Sequence, residues 1–186
     1  MEIKLAIDFD GTIANTNDIK SKWVRDKLGL EVPPELCSRT KCVPIIGIQA
    51  YEEMSSTVYG EEYTRKLSLT EGCLRALNNL SQEFGLILLT ARTPERLQYA
   101  EDWMKKHDLD QFFHEYVNQG RGTTKIQIAR EKNCAALIDD DERHLATESP
   151  SHMKLIWYNP GKLEMKRNVD IKSAHNWKEV EELLAF

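Results

Sequence analysis

The sequence is short of the features that mark several protein classes. It has four cysteines in 186 residues, Cys37, Cys42, Cys73 and Cys134, and none forms a Cys-x-x-Cys pair. Cys37 and Cys42 are the candidates for a disulfide or a soft-metal site but lack a second ligand pair; in a reducing compartment free thiols are expected. The five histidines are scattered without metal-ligand spacing, so none is given a chemical role. There is no basic run dense enough to track a phosphate backbone. Net charge is −5, and the three cations between Lys162 and Arg167 are interrupted by Leu163, Glu164 and Met165, as on a solvated surface. Duplex nucleic acid is therefore not an expected partner. No apolar stretch approaches bilayer-spanning length, and the chain opens on a strand-like segment instead of a basic leader and apolar core. No membrane partner and a cytoplasmic location are the expectation. Internal repeats and low-complexity tracts are also missing.

What is present is the composition of an ordinary packed protein, 41% hydrophobic and 30% charged. The length suffices for one domain, with room for a small subdomain. Five segments have strand character: Ile3 to Asp8, Phe84 to Thr90, Phe113 to Asn118, Ala135 to Asp139 and Lys154 to Tyr158. Helical patterns separate most of them. Gly72 to Gln82 puts Leu74, Leu77 and Leu80 on one stripe. Thr93-Pro94 supplies a cap and a first-turn proline for a helix to about His107, with Leu97, Ala100 and Met104 inward. Thr124 to Asn133 and Asn176 to Leu184 complete the set. Strands alternating with helices predict an α/β three-layer sandwich around a parallel, Rossmann-like sheet.

Residues 15–69 break the alternation. They run through Asp18 to Leu30, a connection at Pro33-Pro34, a break around Lys41 to Gly47, and a helical stretch from Gln49 to Leu67. That is too long for one crossover. The expected division is a catalytic core of residues 1–14 and 70–186, with residues 15–69 inserted as a small helical cap over the strand ends.

The most informative segment is Asp8-Phe9-Asp10-Gly11-Thr12, directly after the apolar run that ends in Ile7. In an open parallel sheet, ligands bind at the carboxyl ends of the strands. Side chains at i and i+2 share a face of a strand, so Asp8 and Asp10 would crowd each other unless a cation or a shared proton intervened. The second strand ends in Thr90-Ala91-Arg92, where a hydroxyl and successive N–H groups can grip an oxyanion. Lys125 opens the third helix after a Gly120-Arg121-Gly122 turn. The fourth strand ends in Asp139-Asp140-Asp141-Glu142, a run suited to Mg²⁺ and its oxygen ligands; Asp141 and Glu142 also suit a helix N-terminus.

Asp8-Phe9-Asp10-Gly11-Thr12, Thr90, Lys125 and Asp139-Asp140 occur in the order and strand contexts of the haloacid dehalogenase superfamily, which the chain resembles over nearly its whole length. The insertion falls where many members carry a helical cap. Dehalogenases lack the second aspartate of the first motif, so Asp10 implies a phosphate-processing member. The resemblance implies Asp8 as the nucleophile of a phosphomonoester hydrolase, giving an aspartyl-phosphate, and Asp10 as general acid and base. It implies Mg²⁺ held by the Asp8 carboxylate, the Asp10 carbonyl and the Asp140 carboxylate, with Asp139 nearby or acting through water. Thr90, Lys125 and the N–H groups near Gly11 and Ala91 would neutralise the phosphoryl oxygens.

The implied substrate is a small phosphorylated metabolite. A small helical cap with a terminal Asp-Asp pair is similar to deoxyribonucleotidase-like members, which points to a nucleotide, but Thr90-Ala91-Arg92 departs from their pattern. Trp23, Tyr51, Tyr59 and Tyr63 offer faces for a base, although cap core accounts for them better. Arg92 either reads a second anionic group or pairs with a surface acid. Competing readings are a phosphomutase, a phosphoaspartate receiver and an idle binding protein. A receiver carries its phosphorylated aspartate on a later strand, and every chemical position is intact here.

Overall fold

A computed structural model of the protein describes residues 2–147, 152–165 and 170–185. The expected alternation is present. The first strand, β1 (Lys4–Ile7), leads into an insertion of helices α1 (Thr16–Leu28), α2 (Arg39–Ile46), α3 (Ile48–Val58) and α4 (Glu61–Thr64). Then follow α5 (Cys73–Glu83), β2 (Gly85–Thr90), α6 (Pro94–Lys106), β3 (Phe113–Asn118), α7 (Lys125–Glu131), β4 (Cys134–Asp139), α8 (Glu142–Leu145), β5 (Lys154–Tyr158), β6 (Ile171–Ala174) and α9 (Trp177–Leu184).

The six strands are all parallel, in the order β3-β2-β1-β4-β5-β6. The chain builds outward from β1 through β2 to β3, then returns to β1's other side for β4, β5 and β6. The order therefore reverses between β1 and β4, the switch point at which open α/β sheets leave a crevice. Helices cover both faces. Leu5, Ile7, Leu86, Leu88 and Ile138 pack with Leu77, Trp103, Met104 and Trp177 on one side. Ala6, Ile87, Leu89, Leu137 and Trp157 pack with Ile126, Ala129 and Leu145 on the other. Burial on both faces explains why β2 reads Gly-Leu-Ile-Leu-Leu-Thr without polar alternation.

The insertion has an apolar centre of its own, made of Trp23, Val24, Val32, Cys37, Cys42, Tyr51, Met54 and Val58. Its two ends leave the core side by side. Asn15 N–H donates to Ser68 O at 2.8 Å and Thr70 N–H to Ile13 O at 2.9 Å, while Ala14 bridges Leu69. Trp103 on α6 secures this neck, donating from Nε1 to Leu67 O at 3.0 Å and standing edge-on to Phe9.

Several local expectations are corrected. The segment expected as a break around Lys41 to Gly47 lies largely in α2, which holds Pro44 in its interior and stops at Gly47, where φ is 82°. The single helix expected over Gln49 to Leu67 divides into α3 and α4 at Tyr59-Gly60, where a poor helix former interrupts the pattern. Leu74 is 49% exposed; α5 buries Cys73 and Ala76 beside Leu77 and Leu80 instead. Strand β6 was not foreseen, because Ile171-Lys172-Ser173-Ala174 has only two apolar residues and occupies the sheet's edge. All four cysteines are free thiols, as expected. Among the described residues no helix is long and apolar enough to cross a membrane. Lys166 and Arg167, of the run read as a solvated surface, lie outside the described residues.

Because Trp103 is 1% exposed and joins the neck to the sheet, Trp103→Ala should cost about 3–5 kcal/mol of unfolding free energy in urea titrations. A loss within ~0.5 kcal/mol, the range of ordinary surface substitutions, would show that the neck holds without it.

Candidate active site

β1 ends at Ile7, and Asp8 is the first residue beyond it, its N–H still donating to Ile138 O at 2.9 Å. Neighbouring β4 ends in Asp139, so the two carboxylates meet at the switch point. Lys125 lies between them. Its Nζ donates to Asp8 Oδ1 at 2.5 Å and to Asp139 Oδ2 at 2.6 Å, with the lysine side chain 1% exposed. A reciprocal cap aims it inward. Thr124 Oγ1 accepts from Gln127 N–H at 3.1 Å, and Gln127 Oε1 from Thr124 N–H at 2.9 Å, fixing the first turn of α7. The other Asp139 oxygen accepts Asp141 N–H at 2.9 Å. Asp141 itself caps α8 and pairs with Arg143, as expected of a helix N-terminus.

Asp140 completes the cluster. Asn17 Nδ2 donates to its Oδ2 at 2.7 Å, and one oxygen from each of Asp8, Asp139 and Asp140 lies within 4.8 Å of the others. Burial pushes the Asp8 carboxyl up to about 7; Lys125 pulls it down, while Asp139 and Asp10 push it further up. Asp140 is held well above the ordinary carboxylate range, by burial and then by the charges of Asp8 and Asp139. Lys125 does not by itself neutralise two buried acids and the half-buried Asp140, toward which Lys20 is the other cation. A hard divalent cation with oxygen ligands fits the remaining charge, and this donor set suits Mg²⁺. Both Asp139 oxygens already have partners, which leaves Asp8 and Asp140 the freer ligands.

Asp10 does not join this cluster through its side chain. Because the strand ends at Ile7, the i, i+2 geometry is not kept, and Asp10 turns to a different cation. Arg92 Nε donates to its Oδ2 and Arg92 Nη2 to its Oδ1, both at 2.8 Å, while Thr16 Oγ1 donates to Oδ1 at 2.7 Å. Burial raises the Asp10 carboxyl, but the Arg92 charge and hydrogen bonds outweigh it and hold the group below its ordinary value. Arg92 thus follows neither expected course: its partner is Asp10, a half-buried acid of the site. The crowding foreseen between Asp8 and Asp10 is met by two separate cations, Lys125 and Arg92.

Thr90 and Ala91 line the same cleft as Asp8, Asp10 and Lys125, with Thr90 buried and its Oγ1 accepting Arg92 N–H at 3.2 Å. Gly11 differs from expectation. Its N–H donates to Ala14 O at 2.8 Å, so this amide is engaged inside the loop. With φ at 84°, Gly11 supplies room instead, because a methyl group there would overlap the Asp140 carboxylate and the Asn17 amide.

The cleft has a volume of about 80 Å³. The insertion contributes Lys20, Tyr51 and Tyr59 to it; Tyr51 also belongs, with Trp23, to the insertion's own core, and Trp23 does not reach the cleft. Tyr63 is absent from the cleft lining and sits under Lys66. Lys20 was missed by sequence reading. It is 4% exposed, donates to Asn17 Oδ1 at 3.1 Å and lies over the Tyr59 ring. The available signal was a lysine at the i+4 position from Thr16, on the face that buries Trp23 and Val24. Arg143 and His144 also line the cleft; burial and then Lys125 hold the His144 imidazole down to about 4. A larger groove of about 470 Å³ opens beyond Asp140, between Asn15, Lys41 and Trp157, and holds neither Asp8 nor Asp10.

No family model matches the chain, and no curated protein matches it in sequence. Solved structures do. A Lactobacillus plantarum protein assigned as a phosphoglycolate phosphatase superposes with a TM-score of 0.69 at 13% identity, over 99% of this chain and 100% of that one. A haloacid dehalogenase-like family hydrolase from Streptococcus pneumoniae gives 0.65 at 15% identity, over 98% of each chain. A Bacillus subtilis protein assigned as a HAD hydrolase, crystallised with magnesium, gives 0.64 at 13% identity, over 100% and 99%. The structural neighbours are thus haloacid dehalogenase-superfamily hydrolases, and the chain shares their fold.

The Asp8 carboxyl gives this site a pH signature. Its folded value of about 7 lies above the ordinary 3.8, so the folded chain keeps a proton that the unfolded chain releases. The group's contribution to stability is full below pH 3.8 and is lost as the pH rises through about 7. In EDTA, wild-type stability measured against Asp8→Asn should therefore fall across that window, by on the order of a few kcal/mol. A difference between the two proteins that stays flat with pH would contradict this electrostatic account.

Proposed function

We propose that the protein is a Mg²⁺-dependent hydrolase of small phosphomonoesters that works through an aspartyl-phosphate on Asp8. The observation that carries this reading is the Asp8, Asp139 and Asp140 oxygens gathered within 4.8 Å, with Lys125 bridging two of the three acids. Assignment of a neighbour with the same fold as a phosphoglycolate phosphatase supports the reaction class, and magnesium bound to another supports the metal.

In this reading an Asp8 oxygen attacks phosphorus, and Asp10 gives a proton to the departing oxygen. The Asp8 and Asp140 carboxylates and the Asp10 carbonyl would hold Mg²⁺, with Asp139 acting through Lys125 or water. When bound, the ion neutralises charge between the nucleophile and the phosphoryl group. Lys125 has a third N–H donor for a phosphoryl oxygen; Thr90 and the Ala91 amide serve the others. Water then releases phosphate, with Asp10 as base. The site needs little more than fixed charges and donors, which is what phosphoryl transfer asks of a protein.

Asp8→Asn should lower turnover of any phosphomonoester by about 10⁴-fold or more while the circular dichroism spectrum is kept. Activity should vanish in EDTA and return with Mg²⁺, while Ca²⁺ inhibits because its larger, looser shell misplaces the nucleophile. Near-normal turnover by Asp8→Asn, or full activity after dialysis against EDTA, would rule the mechanism out.

We also assign residues 15–69 the role of a substrate-selecting cap, because Lys20, Tyr51 and Tyr59 reach the cleft from the insertion. Tyr51→Ala should raise KM for the preferred phosphorylated metabolite by about tenfold and leave KM for p-nitrophenyl phosphate nearly unchanged. Nucleotides belong in that substrate screen. Equal losses on both esters at unchanged thermal stability would remove Tyr51 from substrate selection.

A further inference from the structure

Arg92 is the least expected member of the site, and its contacts define its use. Three of its N–H donors are committed: Nε and Nη2 to the two Asp10 oxygens and Nη1 to Thr64 Oγ1, each at 2.8 Å. Phe9 and Tyr59 rings lie against the guanidinium, 4.8 and 5.3 Å from its carbon. The side chain is 1% exposed. A residue so enclosed does not read the far end of a substrate. It holds a carboxylate in one orientation through a planar fork, which a lysine could not reproduce.

With Thr16 added, Asp10 receives three donors, and its carboxylate is shaped as an acceptor. The next donor that such a carboxylate takes is a water O–H. Thr64 belongs to α4 of the insertion and Tyr59 ends α3, so the guanidinium that grips Asp10 is also held from the insertion.

We propose that Arg92 is a positioning residue that holds Asp10 for the second half of the reaction, the attack of water on phosphorylated Asp8, and that Thr64 ties this hold to the insertion. In that step the water oxygen bonds to phosphorus as the Asp8 oxygen–phosphorus bond breaks. Asp8 regains its carboxylate, and the water proton passes to Asp10. The proposal rests on the reading of Asp8 as nucleophile.

The test uses the full chain with Mg²⁺ and p-nitrophenyl phosphate, whose leaving group departs without needing a proton. For Arg92→Met, formation of the phosphoenzyme should be spared and its hydrolysis slowed. The expected result is a burst of about one p-nitrophenolate per protein, a kcat lower by about 10²-fold, and a KM that falls with it, so that kcat/KM stays within about threefold. Arg92→Lys should restore little of kcat. Thr64→Val, which keeps shape and removes the hydroxyl, should show the same pattern with a kcat loss of about threefold to tenfold. Loss of kcat and kcat/KM together, without a burst, would overturn the proposal and leave Arg92 a structural residue. If Arg92→Met fails to fold, Thr64→Val decides on the same two criteria. A wild-type protein that releases no phosphate, or a burst from Asp8→Asn, would instead overturn the phosphatase reading and this proposal with it.

Discussion

Bringing several carboxylates to one buried point is the constraint on which the rest of this structure depends. Asp8, Asp10, Asp139, Asp140 and Asp141 all line one small cleft. Unpaired charges at such depth would cost several kcal/mol each. Each element of the fold that reaches the cleft brings a remedy. The start of α7 brings Lys125 to Asp8 and Asp139, and the end of β2 brings Arg92 to Asp10. The start of α1 brings Thr16 to Asp10 and Asn17 to Asp140. Asp140 is the least compensated: Asn17 donates to it and Lys20 is the cation that draws its carboxyl down.

The reversal of strand order explains why these remedies can converge. Loops after β1 and β4 leave the sheet in opposite directions, opening a gap where neither covers the other. Thr90 and Lys125 reach the gap from β2 and α7, and Lys20, Tyr51 and Tyr59 line it from residues 15–69. Burying a sheet on both faces leaves its carboxyl edge as the place where polar groups can gather without disturbing the core.

What was legible in the sequence follows the same division. Asp8, Thr90 and Asp139 each end an apolar run, so strand and chemistry announce each other, and Lys125 opens a helix with a visible cap. Strand β6 gave no such signal, because an edge strand of four residues needs little apolar content. The helix boundary at Gly60 and the helix containing Pro44 turn on local backbone balance, which periodicity does not resolve. Lys20, and the partner of Arg92, were hidden for another reason: a charged residue reads as solvated until its neighbours are known, and Asp10 lies 82 residues from Arg92 while Lys20 meets Tyr59, Tyr51 and Asp140 from later segments. N–H groups near Gly11 were expected to face a phosphoryl group from motif context, and the Gly11 amide itself is used inside the loop.

The paired neck of the insertion bears on how such a chain can change over evolutionary time. Asn15 and Ser68 are joined by a hydrogen bond, so the segment between them forms a loop whose ends are already closed. The entropy of closing a flexible loop grows only with the logarithm of its length, about 0.6 kcal/mol per doubling. Residues added to or removed from the segment would therefore alter stability little through chain closure, while the strands that carry the acids stay in register. A chain built this way is free to acquire segments of very different size at one point without disturbing the acids gathered at the strand ends.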